Sequence, residues 1–435
     1  MVETTRLQTM SNKQFYILTG VLLAIVAVGA VAWYTQITEG LIVTGMRNII
    51  SWGLYISTFA WFVGISAGGL ILSSSSQVFG IKSWEKISPF ATLLALIAIA
   101  MAALSILPDL GRPDRVLNLF LYPQFLSPLV WDLFIIATYL VLSALDLFFM
   151  LRHRLAKMGS RLALIMDASE ASARRDAKAV KVISFVALPV AILTHSITAW
   201  IFGLQISRPY WNTALLAPLF LASAMASGLA LVLFTMIGGK RFFGLKVETK
   251  LLSDIGKLLS VIVLVDLFLL LSEYITTIWP GVPSEVSSLD VVFFGPYGYL
   301  AWIQWGCALL AVALLIYPRT RRSLAGLFSA ATLIMFEVFI YRLDLVIPAY
   351  VNPLVQFPPG TSIGEFVQGS SSFMLAGSYF PTVIEWAIVM AILAASLLLL
   401  TIAYRILPLN SSEPTNSTTS VMGSPTARAV GEEPR

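Results

Sequence analysis

Long apolar stretches alternate with short polar ones along the whole chain up to about Leu407. Each stretch holds roughly 20 residues, the length an α-helix needs to cross the hydrocarbon core of a bilayer. Ten spans are predicted, over residues 14–35, 50–75, 87–107, 128–151, 182–206, 213–237, 252–279, 298–317, 323–346 and 381–404. Beyond Leu407 the chain turns rich in Ser, Thr and Pro and reads as a disordered tail. The second span carries Gly64, Ser66, Ala67, Gly68 and Gly69, and the sixth carries Ser223, Ala224, Ala226, Ser227 and Gly228. Small side chains of this kind let membrane helices approach closely. The expected fold is therefore all-α and integral to the membrane. Two four-helix bundles, spans two to five and six to nine, repeat in tandem, with helices one and ten peripheral. The corresponding units are 1–49 (N-terminal segment and first helix), 50–206, 207–346, 347–407 (outer loop and tenth helix) and the tail 408–435.

Composition agrees. Of 435 residues, 58% are hydrophobic and only 12% charged, whereas a soluble globular chain carries about 25% charge. A single cysteine, Cys307, cannot close a disulfide within the chain, nor hold an iron–sulfur cluster or a structural zinc. The first apolar run is long and lacks a small-residue cleavage site, so no cleavable signal is expected. Lys and Arg are unevenly shared between the two sides. With the N-terminus cytoplasmic, twenty fall in inside segments, eight of them from Arg152 to Lys181, and five outside: Arg47, Arg112, Arg115, Arg208 and Arg342. Such a bias orients a membrane protein in the plasma membrane with both termini cytoplasmic. It also accounts for the net charge of +5 without nucleic acid; the basic loop 152–181 is expected to face anionic lipid.

Charged groups inside apolar spans are costly, face the protein interior and point to function. Thr194–Trp211 holds His195, the only histidine within an apolar stretch, and Arg208. On one helix they would lie about 20 Å apart, an imidazole near the bilayer centre and a guanidinium at its face. The plainer alternative is a histidine that ties two helices together. The outside arginines sit in three clusters beside Pro, Gly or acidic neighbours: Asp109-Leu110-Gly111-Arg112-Pro113-Asp114-Arg115, Arg208-Pro209-Tyr210-Trp211 and Arg342-Leu343-Asp344. They read as ion pairs at helix ends, Asp114 with Arg115 in particular, and together as a docking and ligand surface. Asp266 lies midway along the seventh span with Glu273 on the same helical side, Glu337 in the outer half of the ninth, and Asp132 and Asp146 near the two ends of the fourth.

WGLYISTFAWFVGISAGG, LPDLGRPDRVLNLFLYP, HSITAWIFGLQISRPYW and PLFLASAMASG, in that order, resemble the NrfD-like family of polysulfide reductase membrane subunits. The resemblance runs from about Arg47 to Tyr350. Ten spans resemble the branch with tetrathionate reductase, hydrogenase and alternative complex III subunits. It implies a subunit that handles quinone and docks a ferredoxin-like iron–sulfur protein, which in turn serves a molybdopterin catalytic subunit. It also implies a quinone pocket near the outer face built by the first bundle, at Asn48, Trp52, Tyr55, Asp109 and Arg112, with Arg208 on the same face and His195 deeper. Some eight-helix relatives carry a histidine at the pocket entrance; this chain has none there, which leaves the direct quinone ligand and the quinone type open.

Elimination leads to the same chemistry. A bis-histidine haem needs two ligands at one depth, and His153 reads as a residue of the cytoplasmic loop while His195 is in the membrane. With neither haem nor cluster in this chain, quinone (menaquinone or ubiquinone type) must react close to an external cluster. Quinone chemistry moves two protons, which gives His195, Asp109 and Glu273 acid–base work. Asp132, Asp146, Asp266 and Glu337 then form a candidate proton path. An ion-coupled secondary transporter, with the buried carboxylates as coupling sites, is the competing class; a proton-translocating subunit of an alternative complex III-like assembly is another. The terminal substrate is not encoded here. For the topology, a cysteine placed at Ile165 in a Cys307-free background should label only from the cytoplasmic side, and labelling from outside would overturn the orientation.

Overall fold

The computed structural model describes residues 11–47, 50–245, 247–351 and 378–409. They include ten helices long and apolar enough to cross a membrane. These are α1 (Asn12–Glu39), α2 (Leu54–Val78), α3 (Ser88–Ile106), α4 (Pro128–Lys157), α5 (Glu170–Gly203), α6 (Leu216–Phe242), α7 (Thr249–Ile278), α8 (Gly298–Ile316), α9 (Leu324–Val351) and α10 (Val383–Ile406). A further helix, Pro283–Phe294, lies in the connection between α7 and α8. No strand occurs among the described residues. The all-helical, multi-pass membrane fold expected from the apolar pattern is what the chain adopts.

Local sequence sets several boundaries. Ser11 and Thr382 open α1 and α10 with capping boxes, their N3 partners being Gln14 and Glu385. Gly40 closes α1 at φ 85°, where its N–H reaches Gln36 O. Ser169 caps α5 and accepts from Ser172 N, so that helix begins at Glu170 and not near 182. Likewise α4 runs on to Lys157, with Arg154 and Lys157 in its last turn complementing the helix dipole.

Depth within the bundle differs sharply from helix to helix. The apolar window of α2 is 94% buried and that of α1 only 11%, which puts α2 at the centre and α1 against lipid. Around α2 pack α3, α5, α6, α9 and α10, and α1 rests mainly on α10. Lipid is as apolar as leucine, so close backbone packing must supply what the hydrophobic effect supplies in water. At the α2–α6 crossing Gly68 and Gly228 face each other, and a Cβ on either would overlap the other's backbone. Gly69 lies equally close to the backbone of α3 at Ala91, and Gly29 of α1 meets Ala391 of α10.

Four expectations are corrected. Arg342 and Asp344 do not close the ninth span on an outer face: α9 continues through Pro348 to Val351, and both side chains are fully buried within it. Arg152 does not face lipid; it is buried with Asp176, Nη2 to Oδ2 at 2.7 Å, and also binds Ser172. His153 sits on α4, not in a loop. Asp114 pairs with Arg112 at 2.8 Å, because the intervening Pro113 opens a short 3-10 turn that folds the two side chains together. The expected tail and most of the 347–380 loop lie outside the described residues.

Gly228→Val should force α2 and α6 apart at a cost of about 1–3 kcal/mol or more, seen as a lower melting temperature in detergent. Gly238→Val on the same helix, where nothing stands within 4 Å of a Cβ, should change it little; equal effects would remove the crossing from its central role.

Candidate functional site

The first cluster forms where α2 begins. Tyr55, fully buried, donates its hydroxyl to Gln36 Oε1 at 2.6 Å, and Gln36 Nε2 donates to Pro108 O at 2.5 Å. Asp109 follows directly, with Oδ1 buried and without a hydrogen-bond partner. Tyr55 lies within electrostatic reach of Glu385 and Asp109, and Tyr350 within reach of Asp109. Glu385, at the start of α10, accepts from Gly45 N at 2.7 Å, Thr382 N at 2.8 Å and the Tyr379 hydroxyl at 2.6 Å. Tyr379 in turn accepts from Leu54 N at 2.8 Å. Burial and the adjacent Glu385 carboxylate hold the Tyr379 phenol well above its usual range, so it stays a donor.

An aromatic wall stands beside this cluster. Trp52 stacks on Trp211 with centroids 6.0 Å apart and meets Phe202 and Tyr350 edge-on. Trp211 is anchored by Nε1 to Leu345 O at 2.7 Å. Because α5 ends at Gly203, Arg208 does not share a helix with His195. It lies in the following turn, donates to Ala349 O at 2.7 Å and covers the Tyr350 ring at 4.5 Å. Its guanidinium thus caps the end of α9, where carbonyls lack intrahelical partners.

A second cluster is centred on Arg342. Its guanidinium lies 3.8 Å over the Phe220 ring, donates to Ser223 Oγ at 2.7 Å, and comes close to Gly64. Nε and Nη1 have no hydrogen-bond partner, nor do His195 Nε2, Asp266 Oδ1, Asp344 Oδ1 and Gln304 Oε1. Arg342 exchanges electrostatic influence with His195, Asp266 and Glu337. So many unpartnered polar atoms in one buried region call for ordered water. Tyr210 links to Asp344 at 3.4 Å. From Arg342 to Tyr350 is eight residues of α9, about 12 Å along the axis, so one helix joins the two clusters.

The remaining expected residues are spread out. Asp132 accepts from Thr198 Oγ1 at 2.6 Å, one turn beyond His195. Glu273 accepts from Thr213 Oγ1 at 2.7 Å. Asp146 is fully buried with both carboxyl oxygens unpartnered, beside the hydroxyls of Thr92 and Ser184. Arg112 is exposed, and its hydrogen bonds hold the Asp114 carboxyl below the usual range. Asn48 lies outside the described residues. Gln36, Tyr350, Tyr379 and Glu385 do not stand out in the sequence. The local signals are a polar residue inside an otherwise apolar peripheral helix and the Thr382-x-x-Glu385 capping pattern. No group of three His, Cys, Asp or Glu suited to a metal occurs among the described residues.

The family model described as polysulphide reductase, NrfD, matches residues 42–353. A Halobacterium salinarum protein named as a putative dimethyl sulfoxide reductase membrane subunit is 36% identical over 91% of this chain and 92% of its own length. A Mesobacillus selenatarsenatis protein named as one of the subunits of selenate reductase is 28% identical over 89% and 93%. The Hdr-like menaquinol oxidoreductase integral membrane subunit of Archaeoglobus fulgidus is 26% identical over 91% and 94%.

Arg342 and Asp266 are buried within electrostatic reach of each other, and removing one of two such charges leaves the other uncompensated, so Arg342→Ala should lower the melting temperature. Adding Asp266→Asn should restore part of the loss, since interacting residues are non-additive. Strictly additive losses would show that the two do not interact.

Proposed function

We propose that this chain, which belongs to the polysulphide reductase NrfD family, is the quinone-handling membrane subunit of a molybdopterin oxidoreductase-type complex. It exchanges electrons between the membrane quinone pool and a ferredoxin-like iron–sulfur partner docked on the face where α2 begins. That face is external, and both termini are cytoplasmic, in keeping with the Lys and Arg distribution. Relatives named as subunits of dimethyl sulfoxide reductase, selenate reductase and a menaquinol oxidoreductase support the reading.

The observation that carries it is the unpartnered Asp109 carboxyl oxygen, buried beside Tyr55 and behind an aromatic wall. A quinone head group fits such a setting: its ring suits an apolar aromatic flank, and its oxygens need a few placed polar groups. The quinone supplies the two-electron chemistry. Asp109 accepts a hydrogen bond from a quinol hydroxyl and takes its proton. Trp52, Trp211 and Tyr350 keep the site dry on one side, and Arg208 holds Tyr350 in place. Arg112 stands at the exposed rim, where charge guides the partner.

Proton movement is the second part of the proposal. Two buried carboxyls, Asp266 and Glu337, lie within electrostatic reach of one guanidinium, with Asp344 bonded to Tyr210 nearby, an arrangement that holds an exchangeable proton. His195 and Asp132 extend this chamber toward α4, and Glu273 adjoins it through Tyr341. Asp146 marks the opposite, inner half. Through α9 the chamber reaches the proposed quinone site.

In the whole complex, Asp109→Asn should lower quinol-linked turnover about tenfold or more, with viologen-linked reduction of the terminal substrate unchanged. Arg115→Ala should stay near wild type. Full quinol turnover in Asp109→Asn would remove Asp109 from the site and with it the main support for the reading.

A further inference from the structure

The region matched by the family ends at residue 353 and begins at 42, so α1 and α10 lie outside it. Both are peripheral by burial of their apolar windows, 11% and 33%. Yet each sends a fully or nearly fully buried polar side chain inward at the same place: Gln36, 4% exposed, and Glu385, 0% exposed. A polar group in a lipid-facing helix turns inward because lipid cannot satisfy it, and what it meets there is then fixed by it. From Glu385 a chain of contacts leads to the start of α2. Glu385 holds the Tyr379 hydroxyl, Tyr379 receives Leu54 N, and Leu54 precedes Tyr55. From Gln36 a second chain leads through Tyr55 on one side and Pro108, next to Asp109, on the other.

The cradle for Tyr379 is built from both directions. A Cβ at Gly53 would overlap the Tyr379 ring and hydroxyl, and one at Gly45 would press on the same ring and on Phe380 O. Tyr297 fixes the Tyr379 backbone, donating to its carbonyl at 2.7 Å and accepting from its N–H at 2.7 Å. Glu385 has both oxygens occupied by donors, whereas Asp109 Oδ1 has none. The two carboxyls therefore differ in task. Glu385 is committed to holding protein groups, and Asp109 is left to meet a ligand.

We propose that Gln36 of α1 and Glu385 of α10, with Tyr379 just ahead of that helix, are positioning residues of the quinol site, setting Tyr55 and Asp109 for a quinol head group. The inference rests on the quinone reading above and extends the site to both peripheral helices. Gln36 fixes the Tyr55 hydroxyl against the α3 end, while Glu385 and Tyr379 fix the entry of α2. Binding of the head group should then depend on α10 although α10 itself need not touch it.

The test uses the whole complex in its membranes, with a quinoline N-oxide quinol-site inhibitor as probe and a short-chain naphthoquinol as donor. Tyr379→Phe keeps the ring in its glycine cradle and removes only the hydroxyl; Glu385→Gln removes the anchor. Each should weaken inhibitor binding and raise the quinol KM about three- to tenfold, with kcat changed less. The double variant should be no worse than the poorer single one. Viologen-linked turnover should be unchanged. If the wild-type complex binds the inhibitor and both variants bind it equally well, the positioning role is wrong and the quinone reading stands. If the wild-type complex binds no inhibitor, the quinone reading falls and this inference with it. Loss of viologen-linked turnover in Tyr379→Phe would make Tyr379 a structural strut and overturn its role.

Discussion

The meeting of Gly68 on α2 with Gly228 on α6 is the contact on which the rest of the arrangement depends. In a membrane the driving force for helix association is packing and polar complementarity, because burying leucine against protein gains little over burying it in lipid. Only two glycines facing each other allow backbones this close, and the approach fixes α2 in the middle of the protein. One turn earlier Gly64 lies beside the Arg342 guanidinium and Ser227 at ordinary contact distance. At its other end α2 starts from Gly53, whose missing side chain admits the Tyr379 ring. The two glycine-made openings along this segment, at Gly53 and Gly68, thus admit a polar side chain from a distant segment at one end and a neighbouring backbone at the other.

Those openings concentrate polarity in an interior that would otherwise be apolar. The hydrocarbon core offers no water to an unpaired donor or acceptor, so each such group must find a protein partner or a trapped water. Around α2 the partners are sought across long sequence distances: Glu385 for Gly45, Tyr379 for Leu54, Ser223 for Arg342. The Arg342 guanidinium, held over Phe220 and bonded to one serine, keeps donors free on its other side. Asp109 does the same as an acceptor at the neighbouring cluster.

How far this can be read from the sequence follows from the range of each interaction. Ten spans follow from the length of each apolar run, since bilayer thickness sets that length. Gly64, Gly68 and Gly228 are visible as small-residue faces. The Thr382-x-x-Glu385 capping box is also a local pattern, yet nothing near it in the chain tells that its carboxylate also serves Gly45, 340 residues earlier. Arg342 is misplaced by the sequence for a related reason. An arginine and an aspartate after an apolar run read as a membrane face, but the helix continues through Pro348 to Val351, a proline of the kind membrane helices tolerate. Arg152 reads as a lipid-facing charge because its partner, Asp176, lies 24 residues on. Local composition marks where helices run; which charges they hide is decided by neighbours.

Gln36 shows the same rule at its most economical. It is the sole buried polar residue of α1, a helix whose other sides face lipid. Its amide donates to one backbone carbonyl and its oxygen accepts from one phenol, so both ends of the side chain are used. An apolar residue there would leave the Tyr55 hydroxyl without its acceptor in a buried place, at a cost of about 1–3 kcal/mol. A charged one would need a counter-ion that α1 does not offer. An amide, neutral and two-faced, is the side chain that can enter from a lipid-exposed helix without bringing a charge through the bilayer. The glutamate on α10 enters at the helix N-terminus, where the backbone N–H groups of Thr382 and Gly45 donate to it. The two peripheral helices reach one cluster by different chemistry because one contributes from within its span and the other from its first turn.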